Sequence, residues 1–141
     1  MADDCVFCGI IEGSIPGRPV YRDEAVHAFL DVNPLSRGHT LVVPTSHHET
    51  VADLPDTAGE ALFTALFRLV PAVERAVEAD GSTIGFNNGT AAGQEIPHVH
   101  GHVVPRFRAD RGGSLHSMMG GPREMTDAEL DATADRIRDH L

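Results

Sequence analysis

Apolar positions divide this chain into short strands, one long helix and two shorter helices. From Cys5 to Glu12 the apolar Val6, Phe7, Ile10 and Ile11 recur at helical spacing, and Gly13-Ser14 stops the turn. Pro19-Val20-Tyr21 and Ala25-Val26-His27-Ala28-Phe29-Leu30 read as two strands joined across Arg22-Asp23-Glu24. Asn33-Pro34 and Arg37-Gly38 mark a loop, and His39-Thr40-Leu41-Val42-Val43 is a third strand closed by Pro44. Asp56 is the expected cap of a long helix reaching about Ala79, with Leu62, Leu66, Leu69, Val73 and Val77 on one face. Pro71 removes a backbone donor and is expected to kink it. Thr83-Ile84-Gly85-Phe86-Asn87 is a fourth strand and Val99 to Phe107 a fifth, with the glycine-containing loop Asn88-Gly89-Thr90-Ala91-Ala92-Gly93 between them. Residues 108–122, rich in Gly and Arg, read as a mobile loop, and Thr126 with Glu129 forms a capping box for a last helix to His140. Strands that come in runs around one long helix predict an α+β fold: an antiparallel sheet of about five strands, a long central helix and a C-terminal helix.

Composition narrows the classes open to such a fold. A chain of 141 residues is the length of one domain, and an apolar share of 41% supports a core. Nothing approaches the run of about eighteen apolar residues that a membrane span needs. The start, Met1-Ala2-Asp3-Asp4, lacks the basic-then-apolar pattern of a signal peptide, so a cytoplasmic protein is expected. The net charge is −10 and all eleven basic residues are Arg. That balance repels nucleic-acid backbones, yet a local site of His, Arg and backbone N–H groups can still take a small phosphorylated substrate.

The chemistry concentrates in His98-Val99-His100-Gly101-His102-Val103-Val104-Pro105. Strand alternation puts the three histidines on one face, about 7 Å from one to the next. Three imidazoles make a poor core, because an unpaired buried polar ring costs free energy. A solvated strand face and a three-histidine metal site remain alternatives to a catalytic role. Cys5 and Cys8 stand three positions apart, and a disulfide framework makes little sense without a secretion signal. A redox pair or half of a metal site remain.

The run His-Val-His-Gly-His-Val-Val resembles the His-φ-His-φ-His-φ-φ signature of the histidine triad (HIT) family. Cys5-Val6-Phe7-Cys8, Ala28-Phe29-Leu30-Asp31, Arg37-Gly38-His39-Thr40-Leu41-Val42-Val43-Pro44, Asn87-Asn88-Gly89 and Ala92-Gly93-Gln94 also fall where the family has them. They are similar to the Hint-like branch, especially its zinc-containing bacterial and archaeal members. The resemblance implies a single HIT domain over residues 1–141, with a C-terminal helical extension at about 123–141, and a homodimer. It also implies that His100 attacks the α-phosphorus of a nucleotide, with His102 and His39 flanking the phosphate and donating hydrogen bonds to its oxygens. Asn87 would lie near the leaving group, and Gly93 and Gln94 would offer backbone N–H groups to the phosphate. Phe7, Ile10, Ile15, Phe29 and Val32 resemble the base pocket, each equally readable as core, and Asp31 the acid that accepts from the ribose hydroxyls. Cys5, Cys8, His47 and His98 match a structural Cys₂His₂ zinc site.

The implied activity is hydrolysis of purine nucleoside phosphoramidates through a nucleotidyl-histidine intermediate. A dinucleoside polyphosphate hydrolase and a nucleotide-binding regulatory module with little turnover are the alternatives. Two positions depart from the pattern: Glu95 stands where many Hint-branch members carry Ser, and Pro97 replaces the usual aromatic residue. A carboxylate at position 95 repels a phosphate unless it is protonated or turned away. Gly101, small for a strand, is expected to make room for another chain. His48, His27, His116 and His140 match no role, and His48 is expected to be exposed.

Overall fold

Seven residues suffice for the first helix because both of its ends are capped. In the computed structural model, which describes residues 3–141, helix α1 spans Val6–Glu12. Cys5 is its N-cap and its Sγ accepts from the Cys8 N–H, while Gly13 closes the helix in the left-handed region at φ 89°. Phe7, Cys8 and Gly9 are its buried positions. The reading of Met1-Ala2 lies outside the described residues.

Five strands follow: β1 (Pro19–Arg22), β2 (Val26–Leu30), β3 (Thr40–Pro44), β4 (Gly81–Gly85) and β5 (Gly101–Arg106). They form one sheet in the order β1-β2-β3-β5-β4, and every neighbouring pair is antiparallel. The β1–β2 turn is tied by Asp23, whose Oδ1 accepts from the N–H groups of Ala25 and Val26, both at 2.8 Å. Strand β3 is buried along its whole length, as its unbroken apolar run requires of a strand covered on both faces.

One face of the sheet packs on α2 (Asp56–Val77), through a core of Val26, Ala28, Val42, Val99 and Val103 against Leu62, Ala65, Leu66 and Val73. The opposite face gathers Phe29, Leu41 and Val43 with Cys5, Phe7 and Cys8 of the α1 segment. Register assigns His102 to this second face, because it pairs with Leu41, which pairs with Phe29. The β2–β3 connection leaves the sheet beyond Leu30 and Thr40; the β4–β5 connection leaves it at the other end, beyond Gly85 and Gly101. His102 therefore lies between two loops that approach from opposite ends.

Several boundaries differ from expectation. Asp56 is the first helical residue and Pro55 the N-cap, and α2 continues through Pro71 as one span. Strand β4 lies two residues earlier than its apolar pattern suggested, because pairing of Gly81 and Ser82 with Arg106 and Pro105 overrides their weak strand propensity. Strand β5 begins only at Gly101, so the three histidines do not share one regular strand face. The Val99 N–H donates instead to the His48 carbonyl at 2.8 Å, and the His98 N–H to Ile96 at 2.8 Å.

Gly101 does not make room for another chain. A Cβ there would stand 2.8 Å from Phe86 Cζ, so this chain's own ring fills the space. Gly101→Ala should cost about 1–3 kcal/mol by overpacking, read as a lower denaturant midpoint; an unchanged midpoint contradicts the contact.

The residues up to Asp110 form one compact unit and Arg111–Leu141 another. The second holds a single helical turn at Leu115–Ser117 and α3 (Asp127–Asp139). The capping box is present as expected, with Thr126 Oγ1 accepting from the Glu129 N–H and Glu129 from the Thr126 N–H. Among the described residues no helix is long and apolar enough to cross a membrane.

Candidate active site and metal centre

Hydrogen-bond partners determine the tautomer of each triad histidine, and with it what each ring can do. His100 Nδ1 lies 2.7 Å from the carbonyl of His98. A carbonyl only accepts, so Nδ1 carries the proton and Nε2 keeps its lone pair. His39 is set the opposite way. The Leu35 N–H donates to its Nδ1 at 3.0 Å, so the proton sits on Nε2 and is directed to His102 Nδ1 at 2.9 Å. His102 then carries its own proton on Nε2, a buried nitrogen with no partner among the described residues. A shielded donor without an acceptor is costly, and a ligand oxygen would relieve that cost. The rings of His100 and His102 are 5.1 Å apart, centre to centre. The basic nitrogen and the waiting donor therefore belong to neighbouring rings.

Burial holds the His102 and His39 rings neutral at ordinary pH. It pushes the His102 pKa down to about 4, helped by the neighbouring His100 and His39 and opposed by Asp31. Burial likewise lowers His39 against the pull of Asp31, whose Oδ2 lies 3.7 Å from His39 Nε2.

These side chains line a cavity of about 480 Å³. Toward the β2–β3 connection it is bounded by Phe29, Asp31, Val32, Asn33 and Leu35, with Val6, Phe7 and Ile10 of α1 and Leu41 of β3. Toward the β4–β5 connection it is bounded by Asn87, Gly93, Glu95 and Ile96. One end is thus largely apolar with a single carboxylate, and the other is polar. A second cleft of about 530 Å³, between α2 and β1, contains none of the histidines.

Beneath the cavity, Cys5, Cys8, His47 and His98 bring one donor atom each within 4.8 Å of all the others. Cys5 Sγ lies 3.5 Å and Cys8 Sγ 3.6 Å from His98 Nδ1, and Cys8 Sγ lies 3.4 Å from His47 Nδ1. A tetrahedral ion with Zn–S near 2.3 Å and Zn–N near 2.0–2.1 Å has S···N edges of about 3.6 Å, so the spacing fits. The tautomer fits as well. His98 Nε2 donates to the Pro44 carbonyl at 2.9 Å, leaving Nδ1 as a lone pair toward the sulfurs. Burial pushes the His98 pKa down to about 4, so the ring is neutral, as a ligand must be. The four residues can hold a metal ion.

Asp31, His39 and His102 also cluster within 4.8 Å, and there the fit fails. The Leu35 N–H obliges His39 Nε2 to carry a proton, and that nitrogen is the one facing the other two side chains.

The cavity gathers His39, His100, His102, Asp31, Phe7, Ile10, Phe29, Val32, Asn87 and Gly93. It omits two residues expected in it. Ile15 packs against Gly9 of α1 instead. Gln94 pins the loop: its side chain accepts from the Gly89 N–H at 2.8 Å and donates to the carbonyls of Glu49 and Ile96 at 2.7 and 2.9 Å. The backbone N–H groups expected to meet phosphate are also engaged, Gly93 donating to Thr90 and Gln94 to Gly89. His48, expected to be exposed, is half-buried and pairs with Ser46 Oγ at 3.0 Å. Two contributors were missed because they act through backbone atoms: Leu35 N–H and the Pro44 carbonyl.

Known proteins resemble this chain at family level. The HIT domain family matches residues 12–109. An uncharacterized HIT-like protein of Methanocaldococcus jannaschii is 46% identical over 112 residues, 75% of this chain and 81% of its own length. Adenylylsulfatase HINT3 of Arabidopsis thaliana is 34% identical over 141 residues, 100% of this chain and 71% of its own. The crystal structure of a zinc-bound histidine triad family protein from Mycobacterium smegmatis superposes with a TM-score of 0.74 at 32% identity, covering 98% of each chain. The chain belongs to the HIT family of nucleotide-binding proteins and hydrolases.

Proposed function

We propose that the protein is a nucleotide hydrolase that acts at an α-phosphate through a nucleotidyl-histidine intermediate, with purine nucleoside phosphoramidates as substrates. The observation that carries this reading is the pair of opposed tautomers, a basic His100 Nε2 beside an unpartnered His102 Nε2–H.

The nucleoside occupies the apolar end, its base against Phe7, Ile10, Phe29 and Val32. Asp31 accepts from the ribose hydroxyls; its Oδ1 already takes the Asn33 N–H at 2.9 Å, which holds the carboxylate in place. His100 Nε2 attacks phosphorus, the P–N bond breaks, and its electron pair leaves with the amine, which takes a proton from solvent. Water then attacks phosphorus, the P–Nε2 bond breaks, a proton returns to solvent, and a nucleoside monophosphate is released. His102 Nε2–H donates to a phosphate oxygen throughout, and the Leu35–His39–His102 chain keeps it a donor. Asn87 lies on the leaving-group side.

The Cys₂His₂ cluster is read as a structural Zn²⁺ site that ties α1 to the loop before β5. The ion supplies folding energy there and takes no part in the reaction. Thiolates kept as ligands suit a reducing compartment, which supports a cytoplasmic setting. The same reading treats the chain as one HIT domain with α3 as an extension.

A second copy of the chain is the partner that fits the exposed apolar strip of the first unit. Phe63 and Phe67 lie one turn apart on α2 and are 46% and 64% exposed, and Ile84 of the edge strand β4 is 42% exposed. An open strand edge beside exposed aromatic rings is a surface that natural proteins cover. Phe67→Glu should turn the dimer into a monomer in sedimentation equilibrium; wild-type protein that sediments as a monomer overturns this part.

The test of activity is a steady-state assay with adenosine 5′-phosphoramidate, diadenosine polyphosphate and adenylyl sulfate. The Arabidopsis relative's name attaches the last to that protein. Faster turnover of the phosphoramidate supports the proposal; faster turnover of the polyphosphate supports the alternative hydrolase. Nucleotide binding without turnover of any of the three supports a regulatory module.

A further inference from the structure

The reaction proposed above leaves open what the amine carries, and the charge around the leaving-group end bears on it. Among the residues lining the cavity none is Arg, and the chain has no Lys. The cavity's charged side chains are Asp31 at the nucleoside end and Glu95 at the other. Glu95 is exposed, but the residues on either side of it are held. Gln94 before it is tied by three side-chain hydrogen bonds to Gly89, Glu49 and Ile96. Ile96 after it packs on the core of the α1 face. With both neighbours held, the Glu95 backbone is anchored and the residue lines the end of the cavity toward the β4–β5 connection.

The phosphate already brings negative charge into a cavity where burial holds His39 and His102 neutral. A leaving group with a further negative charge meets no cation in the lining and faces a carboxylate. One bearing a positive charge meets a carboxylate that nothing in the lining neutralises. We infer that Glu95 is a specificity-determining residue that selects nucleoside phosphoramidates whose amine bears a second, cationic group and disfavours anionic leaving groups. Resting on the hydrolase reading, this inference narrows its substrate class. The chemistry is unchanged: the P–N bond breaks to the amine, and the distal charge is spectator to the bonds made.

Three adenosine 5′-phosphoramidates of matched length test it, made from ethylenediamine, propylamine and β-alanine, with cationic, neutral and anionic tails. The full-length, metal-replete protein should order them in kcat/KM as cationic, neutral, anionic, with about 3- to 30-fold between the extremes, the span of a charge pair near a surface. The ratio should shrink with added salt, collapse in Glu95→Gln and invert in Glu95→Arg. Because the readout is a ratio within one preparation, partial misfolding of a variant does not affect it. Turnover of all three with a ratio that Glu95→Gln and Glu95→Arg leave unchanged overturns the inference and spares the hydrolase reading. No turnover of any of the three, by a protein that binds adenosine monophosphate, overturns both.

Discussion

Replacing His100 by alanine is expected to lower kcat/KM by at least about 10⁴-fold, because losing a nucleophile removes the covalent route rather than one contact. Affinity for a nucleoside monophosphate should change far less, since the apolar end and Asp31 remain. The fold should survive: among the described residues His100 makes one side-chain hydrogen bond, to the His98 carbonyl, and ring contacts with Phe7 and His102. Assays paired with calorimetric titration of adenosine monophosphate read both quantities. Activity within tenfold of wild type would assign the attack to another group. A parallel loss of binding and turnover would make His100 a positioning residue.

Cys5→Ala should strip the metal centre and reduce stability more than activity. The variant loses a donor that lies 3.5 Å from His98 Nδ1 and also the N-cap that accepts the Cys8 N–H. A three-donor site no longer closes a tetrahedron, so bound zinc should fall well below one per chain. The lost ligation and cap should lower the melting temperature by roughly 10 °C or more. Activity per folded molecule should fall much less, because the Pro44–His98 and His98–His100 hydrogen bonds do not pass through Cys5. Elemental analysis with thermal unfolding measures this. Full zinc occupancy in the variant, or an unchanged melting temperature, contradicts the assigned ligands.

The two predictions meet at His98. Its side chain turns to the cysteine cluster while its carbonyl holds the His100 proton. Phe7 bridges them as well, lying edge-on to both rings at 5.9 and 5.0 Å. The short helix that brings the cysteines also supplies the ring packed on the nucleophile candidate.

Much of this was legible in side-chain identity. The spacing of Cys5 and Cys8 placed two sulfurs on one turn, the α2 stripe gave Leu62, Leu66 and Val73 to the core, and Thr126 with Glu129 marked the start of α3. What was not legible depends on backbone groups and long-range pairing. Alternation put His98, His100 and His102 on one face. Backbone hydrogen bonds of His98 and Val99 to Ile96 and His48 instead hold His98 and His100 outside the strand. That departure gives the first histidine a different neighbourhood from the other two. The amides of Gly93 and Gln94 were expected to meet phosphate. A side-chain pattern carries no sign that a turn at Thr90–Ala92 would engage them internally. Gly101 invited a partner chain, and the ring that fills its space, Phe86, was assigned to a strand that ends one residue before it.

The central claim is that phosphorus becomes bonded to His100. Rapid-quench intact mass spectrometry during a single turnover of adenosine 5′-phosphoramidate tests it most directly. The account predicts a transient species heavier by one adenylyl group, mapped to His100 by fragmentation and absent in His100→Ala. Turnover at the wild-type rate with no adduct at any time, under quench conditions that preserve a phosphohistidine standard, would contradict it and point to direct attack by water.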